Sequence, residues 1–255
     1  MDSYRIMLLT DLHAGPVAGT KIGPHAVSLL DTILYHSSSY QPDLIVDLGD
    51  RITSTSKRRD EENTRRIAAT FENTAVPREH LPGNHDIKRL SLEESSDFLG
   101  SPLNSRTRQV GDYHFVFWSP HLPSYDRVYS ESELEWLEDA LRPDNSVLFT
   151  HFPFLDTNYA DSNRPRDPYL IQAEAKNAYR ALDVVKAAGS VRAVITGHVH
   201  GNSLNYANGI PFVTLQSVTE AVNGTRRPAG AWGLVDLADT FTLEVFGLDP
   251  VTHVF

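Results

Sequence analysis

Polar side chains that can bind metals or move protons stand together in the segment LPGNHDIKRL, residues 81–90. Asn84, His85 and Asp86 follow a Pro-Gly pair there, and none of the three is needed to make a turn once proline and glycine are present. Similar residues recur at the ends of four predicted strands: Asp11 with His13, Asp50, His151, and His198 with His200. Separate turns and caps would explain each position alone, whereas one common site explains all five.

The chemistry of this set is that of a metal centre. Its members offer only oxygen and imidazole donors, and they are Asp11, His13, Asp50, Asn84, His151, His198 and His200. They are too many for one tetrahedral zinc but enough for two metals with open positions. A carboxylate can bridge two cations about 3.5–4 Å apart, and such a pair supplies hydroxide near neutral pH and holds phosphoryl oxygens. The donors suit Mn²⁺, Fe or Zn²⁺ and do not select among them.

The spacing within two motifs separates the roles further. In an extended segment, residues i and i+2 project to the same side, so His198 and His200 can face one site. Asn84 and His85 are sequence neighbours and project to opposite sides, so they can serve two different roles.

Predicted strands and helices alternate over the first 200 residues. The strands are predicted at 4–10, 43–49, 113–118, 146–150 and 191–196. The helices are predicted at 24–36, 57–72, 130–142 and 171–189, with Ser130 as an N-cap and Glu133 three residues later. After residue 200 the pattern predicts strands only, over 203–207, 211–217, 231–237 and 241–247.

This order predicts an α/β fold with two packed sheets and helices outside, in which loops after the strands form the site. No linker or repeat divides the chain, so we expect a single domain over 1–255. The sequence leaves a homodimer open and indicates no interface for it.

Charge and composition exclude several classes of function. The formal charge of −10 argues against general nucleic-acid binding, although bound metals can still attract a phosphate substrate. Cysteine is absent, which excludes disulfides and thiolate metal sites. The apolar run in MDSYRIMLLTDLH is too short for a signal peptide or a membrane span. We therefore expect a soluble, cytoplasmic protein without a membrane partner.

The series DLH, GD, GNHD, H and GHVH, between residues 11 and 200, resembles the calcineurin-like metallophosphoesterase superfamily. The resemblance implies a two-sheet β-sandwich flanked by helices in four layers, with two divalent metal ions at the loop end. It implies two ligand sets that share Asp50 as the bridge: Asp11, His13, Asp50 and His200, and Asp50, Asn84, His151 and His198. It also implies that His85, with Asn84 beside it, contacts the substrate and acts as an acid, and we expect Asp86 to orient the His85 imidazole.

Within the superfamily, the motifs and the segment NGIPFVTLQS resemble the bacterial class III cyclic-nucleotide phosphodiesterases. The stretch GDRITST lacks the Asp-Arg-Gly of Ser/Thr protein phosphatases. Two departures concern Thr150, which replaces a usual histidine in THFPF, and AVPREH, which is more polar than the usual strand before the GNHD motif. The long loop 156–169 offers Tyr159, Asn163, Arg164 and Arg166 to a base or second phosphate, although a solvated loop is the favoured alternative.

The sequence thus predicts a hydrolase of small phosphodiesters, cyclic nucleotides among them, that uses a hydroxide bridging two metals. A phosphomonoesterase and a nucleotide pyrophosphatase on the same site are the alternatives. A non-catalytic binding scaffold is a weaker alternative, because all seven ligand positions and His85 are filled.

Overall fold

A computed structural model describes residues 4–121, 127–155, 175–222, 225–238 and 240–255. In these ranges the strands are β1 (Tyr4–Leu9), β2 (Leu44–Asp47), β3 (Arg78–His80), β4 (Arg106–Val110), β5 (Tyr113–Trp118), β6 (Ser146–Thr150), β7 (Val191–Thr196), β8 (Ser203–Ala207), β9 (Ile210–Thr214), β10 (Trp232–Leu237), β11 (Thr242–Phe246) and β12 (Val251–Val254). The helices are α1 (Ala26–Ser37), α2 (Lys57–Phe71), α3 (Leu92–Leu99), α4 (Glu131–Ala140) and α5 (Ala178–Ala188).

The strands form two mixed sheets of six strands each. One sheet has the order β12-β11-β10-β1-β2-β3 and the other the order β4-β5-β6-β7-β9-β8. Strands β1, β2 and β3 run parallel to one another, and so do β5, β6, β7 and β9. The carboxyl ends of parallel strands meet at one edge of a sheet, so the loops that follow them converge there.

The core lies between the sheets and on their outer faces. Ile6 and Leu8 of β1 face the inter-sheet core, where the rings of Phe117 and Phe149 stack at 5.3 Å between centroids. Met7, the residue between them, faces a second cluster that includes residues of α1 and α2. A third cluster joins α4 and α5 to the other sheet. This alternation follows from the two-residue period of a strand and produces the four layers, which confirms the predicted fold class.

Most of the predicted elements are confirmed, with shifted ends. Every named element after residue 200 in the described ranges is a strand. The predicted N-cap of α4 is correct, because the carboxylate of Glu133 accepts from the Ser130 amide at 2.8 Å and the Ser130 hydroxyl accepts from the Glu133 amide at 3.3 Å. The predicted helix 171–189 is described only from residue 175, and α5 begins at Ala178.

The sequence analysis missed β3, β4, β12 and α3, and β3 shows why. Its polar residues find partners across the fold: Glu79 pairs with Arg106 of β4 at 2.8 Å, and His80 Nδ1 lies 2.8 Å from Asp47 Oδ2. Because β3 and β4 are the edge strands of the two sheets, the Glu79–Arg106 pair holds one sheet edge to the other, whereas His80 contacts the neighbouring strand β2. Among the described helices, none has the length and apolarity that a membrane crossing requires.

Candidate active site

The seven predicted metal ligands lie on five loops at one edge of the two sheets. These loops follow the carboxyl ends of β1, β2, β3, β6 and β7. Loops from both sheets are therefore needed to assemble the site.

One group of donors consists of Asp11, His13 and His200. The Nε2 atoms of His13 and His200 face each other at 2.9 Å. Asp11 Oδ1 lies 3.1 Å from His200 Nε2 and 3.5 Å from His13 Nε2. All three ligand atoms are close enough together to bind a single cation.

The other group consists of Asp50, His151 and His198, with Asn84 beside it. His151 Nε2 lies 3.1 Å from His198 Nδ1 and 3.6 Å from Asp50 Oδ2. Asn84 Oδ1 is buried and has no hydrogen-bond partner among the described residues. The next residue, His85, donates its amide to Asp50 Oδ1 at 2.7 Å, which brings the Asn84 segment to this group.

Asp50 lies between the two groups. Its Oδ1 accepts the His85 amide, whereas its Oδ2 lies 3.8 Å from His13 Nε2 and 3.6 Å from His151 Nε2. A single oxygen of Asp50 is therefore available to both groups, as the predicted bridging role requires.

The hydrogen bonds on the far sides of two rings show that these donors suit cations. His151 Nδ1 donates to the Leu48 carbonyl at 2.8 Å, and His200 Nδ1 donates to Glu220 Oε2 at 2.6 Å. In the neutral rings, this leaves the Nε2 lone pairs pointing at other nitrogen and carboxylate donors. Lone pairs that converge in a buried place need a positive charge between them, so the donor set fits bound metals.

In the metal-free chain, the pair His151 and His198 shares a proton. Burial alone would lower the pKa of His151, but the charge of Asp50 raises it to about 9. The pKa of His198 lies well below its usual range because the ring is buried and faces a charged His151. One ring is thus protonated and the other neutral.

The pair His13 and His200 has the same arrangement. Against burial, the charges of Asp11 and Glu220 raise the pKa of His200 to about 9. Burial lowers the pKa of His13 to about 4. The pKa of Asp11 is held low in spite of burial, chiefly by His200. Each histidine pair therefore holds one proton where a cation would bind.

The backbone of the site adopts a conformation that most side chains avoid. Five of the predicted ligands have φ between 45° and 69°, and they are Asp11, His13, Asp50, His198 and His200. The left-handed region is sparsely populated by non-glycine residues, so the surrounding structure must enforce it. Glycine permits the tight loop packing: a Cβ on Gly83 would lie 2.2 Å from Asp50 Oδ1, and one on Gly197 would lie 2.0 Å from Thr10 Oγ1.

The comparisons with known proteins agree with this geometry. A family model described as calcineurin-like phosphoesterase matches residues 4–202, which is most of the chain. The chain belongs to the calcineurin-like phosphoesterase family. Members of this family are phosphoester hydrolases that depend on two metal ions. Among curated proteins, the sequence of this phosphoesterase finds no match.

Solved structures share the fold at low sequence identity. A dimetal phosphatase from Danio rerio has a TM-score of 0.77 and 17% identity, with 98% of both chains covered. A purple acid phosphatase from yellow lupin has a TM-score of 0.70 and 13% identity, with 98% of this chain and 53% of that chain covered. GAP50, the anchor in the inner membrane complex of Plasmodium, has a TM-score of 0.64 and 13% identity, with coverage of 98% and 88%. These likenesses show the fold alone.

His85 of the phosphoesterase lies beside the predicted ligands but is held differently from the prediction. Its Nδ1 donates to the Thr53 carbonyl at 2.7 Å, which leaves Nε2 for a substrate. The prediction that Asp86 orients this ring is wrong. The carboxylate of Asp86 accepts instead from the amides of Gly83, Asp50 and Arg51, each at 2.9 Å. A buried carboxylate needs several donors, and the two tight turns supply them.

Arg51 completes this arrangement. Its side chain is 1% exposed, its Nη1 donates to Asp47 Oδ2 at 2.7 Å and to the Leu81 carbonyl at 2.8 Å, and its Nη2 lies 2.9 Å from Asp86 Oδ2. A buried cation between two buried carboxylates offsets part of their charge, and the backbone amides at Asp86 stabilise the rest. Arg51 thereby supports Asp86, which ties the Asp50 loop to the Asn84 loop.

Sequence reasoning missed Arg51, Glu220 and Thr53. Arg51 directly follows Asp50, so its position was a usable signal, but nothing in the sequence shows that its side chain is buried. Glu220 follows His200 by 20 residues, and the Thr53 contact is made through a carbonyl. The four predicted substrate contacts from the loop 156–169 lie outside the described residues, and they are Tyr159, Asn163, Arg164 and Arg166.

We predict that Arg51→Met loses metal. Removing one partner of a buried ion pair costs about 3–5 kcal/mol, and here it leaves Asp47 and Asp86 uncompensated. Metal analysis after dialysis should find fewer than two ions per chain, whereas Arg51→Lys should retain more. Arg106→Met is the matched control, because it removes the pair with Glu79 away from the site. If Arg51→Met kept both ions as firmly as Arg106→Met, the supporting role of Arg51 would be refuted.

We also predict that metal binding releases protons. At pH 7, His151 and His200 carry protons in the metal-free chain because the pKa of each is about 9. Metal must displace these protons, so affinity should rise with pH and level off above about pH 9. Calorimetry in two buffers of different ionisation enthalpy counts the protons. Glu220→Gln should release fewer protons and weaken metal binding by roughly 10- to 100-fold, and an unchanged count would contradict the role of Glu220.

Proposed function

We propose that this chain is a dinuclear-metal phosphodiesterase that acts on small phosphodiesters, with cyclic nucleotides among the candidate substrates. One observation carries the proposal: two pairs of facing imidazoles lie on either side of a single carboxylate oxygen, Asp50 Oδ2. Such a set would hold two cations side by side at the mouth of converging loops. The motif resemblance to class III cyclic-nucleotide phosphodiesterases supports the preference for diesters.

The charges around the site favour a substrate with one negative charge. Two divalent cations bring four positive charges, and Asp11 and Asp50 balance two of them. Glu220, which accepts from His200, balances another. Arg51 is buried against two carboxylates and cannot reach a substrate. The hydroxide of the proposed reaction balances the last of them. A phosphodiester carries one negative charge and a monoester nearly two at neutral pH, so the diester costs less to desolvate at a centre without excess positive charge.

The residues of the chain have distinct parts in the proposed reaction. When bound, the two metals would supply Lewis acidity and lower the pKa of the attacking water. Asp11, Asp50, Asn84 and the histidine pairs would hold them. His85 keeps its Nδ1–H on the Thr53 carbonyl, so Nε2 is the atom that can donate a proton to the leaving oxygen.

Hydrolysis of a phosphomonoester or of a nucleotide phosphoanhydride is the second candidate. Two similar structures are described as phosphatases, one from Danio rerio and one from yellow lupin. GAP50 is described as an anchor, but a non-catalytic scaffold would not need a complete set of ligands and a free His85 Nε2.

The first test compares a bis-aryl phosphodiester with the matching aryl monoester, on chelator-stripped protein reloaded with Mn²⁺. We expect a clearly higher kcat/KM for the diester, because its lower charge costs less to bring into the site. A preference for the monoester would overturn the diesterase proposal in favour of a phosphatase. Bound metal without activity on either ester would point to a phosphoanhydride substrate or to the scaffold.

We predict that His85→Ala keeps both metals and lowers turnover of the preferred ester by roughly 10²-fold or more, the usual effect of losing a general acid. His36→Ala, at an exposed histidine on α1, is the control and should leave both properties unchanged. Metal analysis and kcat measured on the same samples separate the two effects. Wild-type turnover in His85→Ala would remove His85 from the mechanism.

A further inference from the structure

A cavity of about 390 Å³ lies beside the loop that carries His13. Gly15 and Pro24 line one side, and Arg59, Asn63 and Arg66 of α2 line the other. We call this space the arginine cavity. Its volume is in the range that holds small ligands or parts of them.

The arginine cavity lies next to the loop that carries the predicted metal ligand His13. Ala14 and Gly15, which both line it, directly follow His13, and consecutive Cα atoms are about 3.8 Å apart. Asn63 Nδ2 donates to the Ala14 carbonyl at 3.2 Å, which holds α2 to this loop. None of the predicted metal ligands lines the cavity, so a substrate held at the metals reaches it only with a second group that extends past this loop.

The four arginines of α2 differ in what they contact. Arg58 pairs with Glu62 at 2.6 Å, and the guanidinium of Arg65 lies 4.0 Å from the centre of the Phe98 ring. Arg59 and Arg66 line the cavity, and neither forms an ion pair with any residue in the described part of the chain. Seven residues separate them, which is close to two helical turns, so they lie on the same face of α2.

Arg59 and Arg66 place two guanidinium groups without ion pairs, within the described residues, at one cavity. The formal charge of the chain is −10, so carboxylates outnumber the basic groups that could pair with them. Glu62 also lines the cavity, but its carboxylate is engaged by Arg58. The cavity thus keeps two cations, and the carboxylate that lines it is already paired.

We propose that the arginine cavity binds a second phosphate group of the substrate. Guanidinium groups present planar pairs of donors that match phosphate oxygens, and two of them can share one doubly charged group. The substrate class is then a small phosphodiester that carries an additional phosphate on its second alcohol. This inference rests on the proposed function for the scissile ester.

The test uses two p-nitrophenyl phosphodiesters whose second group is an alkyl chain that ends either in a hydroxyl or in a phosphate. With the full-length, Mn²⁺-loaded protein at low salt, we expect KM to be about 5- to 30-fold lower for the phosphate-ended ester, as two exposed ion pairs would give. Raising the salt concentration should shrink this preference. Chains of two to six carbons would show which length reaches the cavity.

Matched double variants assign the effect to the cavity. Arg59→Gln/Arg66→Gln should bring the KM ratio of the two esters near one and leave kcat for the hydroxyl-ended ester unchanged. Lys57→Gln/Arg65→Gln removes the same charge from the same helix, leaves Glu62 paired with Arg58, and should keep the wild-type ratio. The inference is overturned if the wild type shows no preference for the phosphate-ended ester, or if both double variants lose it equally.

Binding separates this inference from the proposed function. If neither ester is hydrolysed, the phosphodiesterase proposal fails, and calorimetry with 4-hydroxybutyl phosphate then compares the metal-loaded double variants, in which binding at the metals contributes equally. Weaker binding to Arg59→Gln/Arg66→Gln than to Lys57→Gln/Arg65→Gln would support the cavity. Equal binding to both would reject it.

Discussion

The buried carboxylate of Asp86 is the contact on which the site depends. It accepts three backbone amides from two different loops and pairs with Arg51, so it holds the Asp50 loop against the Asn84 loop. Asp50 and Asn84 stand at the same place only because these loops are joined. A residue that touches neither metal nor substrate thus determines where the ligands lie, and its burial makes each of its contacts costly to lose.

Compensation of the buried charges explains how such a polar site is stable inside the fold. The carboxylates of the centre are offset by protonated histidines in the metal-free chain, and by cations once metal binds. Behind them, Asp47, Arg51 and Asp86 form a second set that is closed to solvent, in which one cation and several hydrogen bonds stabilise two carboxylates. The two sets of charges differ. The protons on the histidines of the centre can be replaced by metal ions, whereas the charges of Asp47, Arg51 and Asp86 are fixed by hydrogen bonds.

The fold class and the ligand motifs could be predicted because they depend on residue type and on the two-residue period of strands. Features that depend on a partner distant in the sequence could not. The ligand motifs follow strands of the predicted kind, so the fold class and the convergence of the loops were accessible. The polar strand β3 was missed because its partner Arg106 lies 27 residues away, and its composition lacks the apolar pattern of a buried strand. The role of Asp86 was wrong because its partners are backbone amides, and His85 rests on a carbonyl. Hydrogen bonds to backbone amides and carbonyls cannot be predicted from residue types alone.

The left-handed backbone at five of the ligands has a consequence for which residues these positions accept. Asp and Asn, together with His, enter this region several-fold more readily than most other residues. The same three residue types supply the donors of the centre. Glutamate could place a carboxylate near a cation, but it lacks the short side chain that eases this backbone conformation. Each of these positions is therefore constrained both by coordination chemistry and by its positive φ. The two constraints together explain why the motifs use so few residue types.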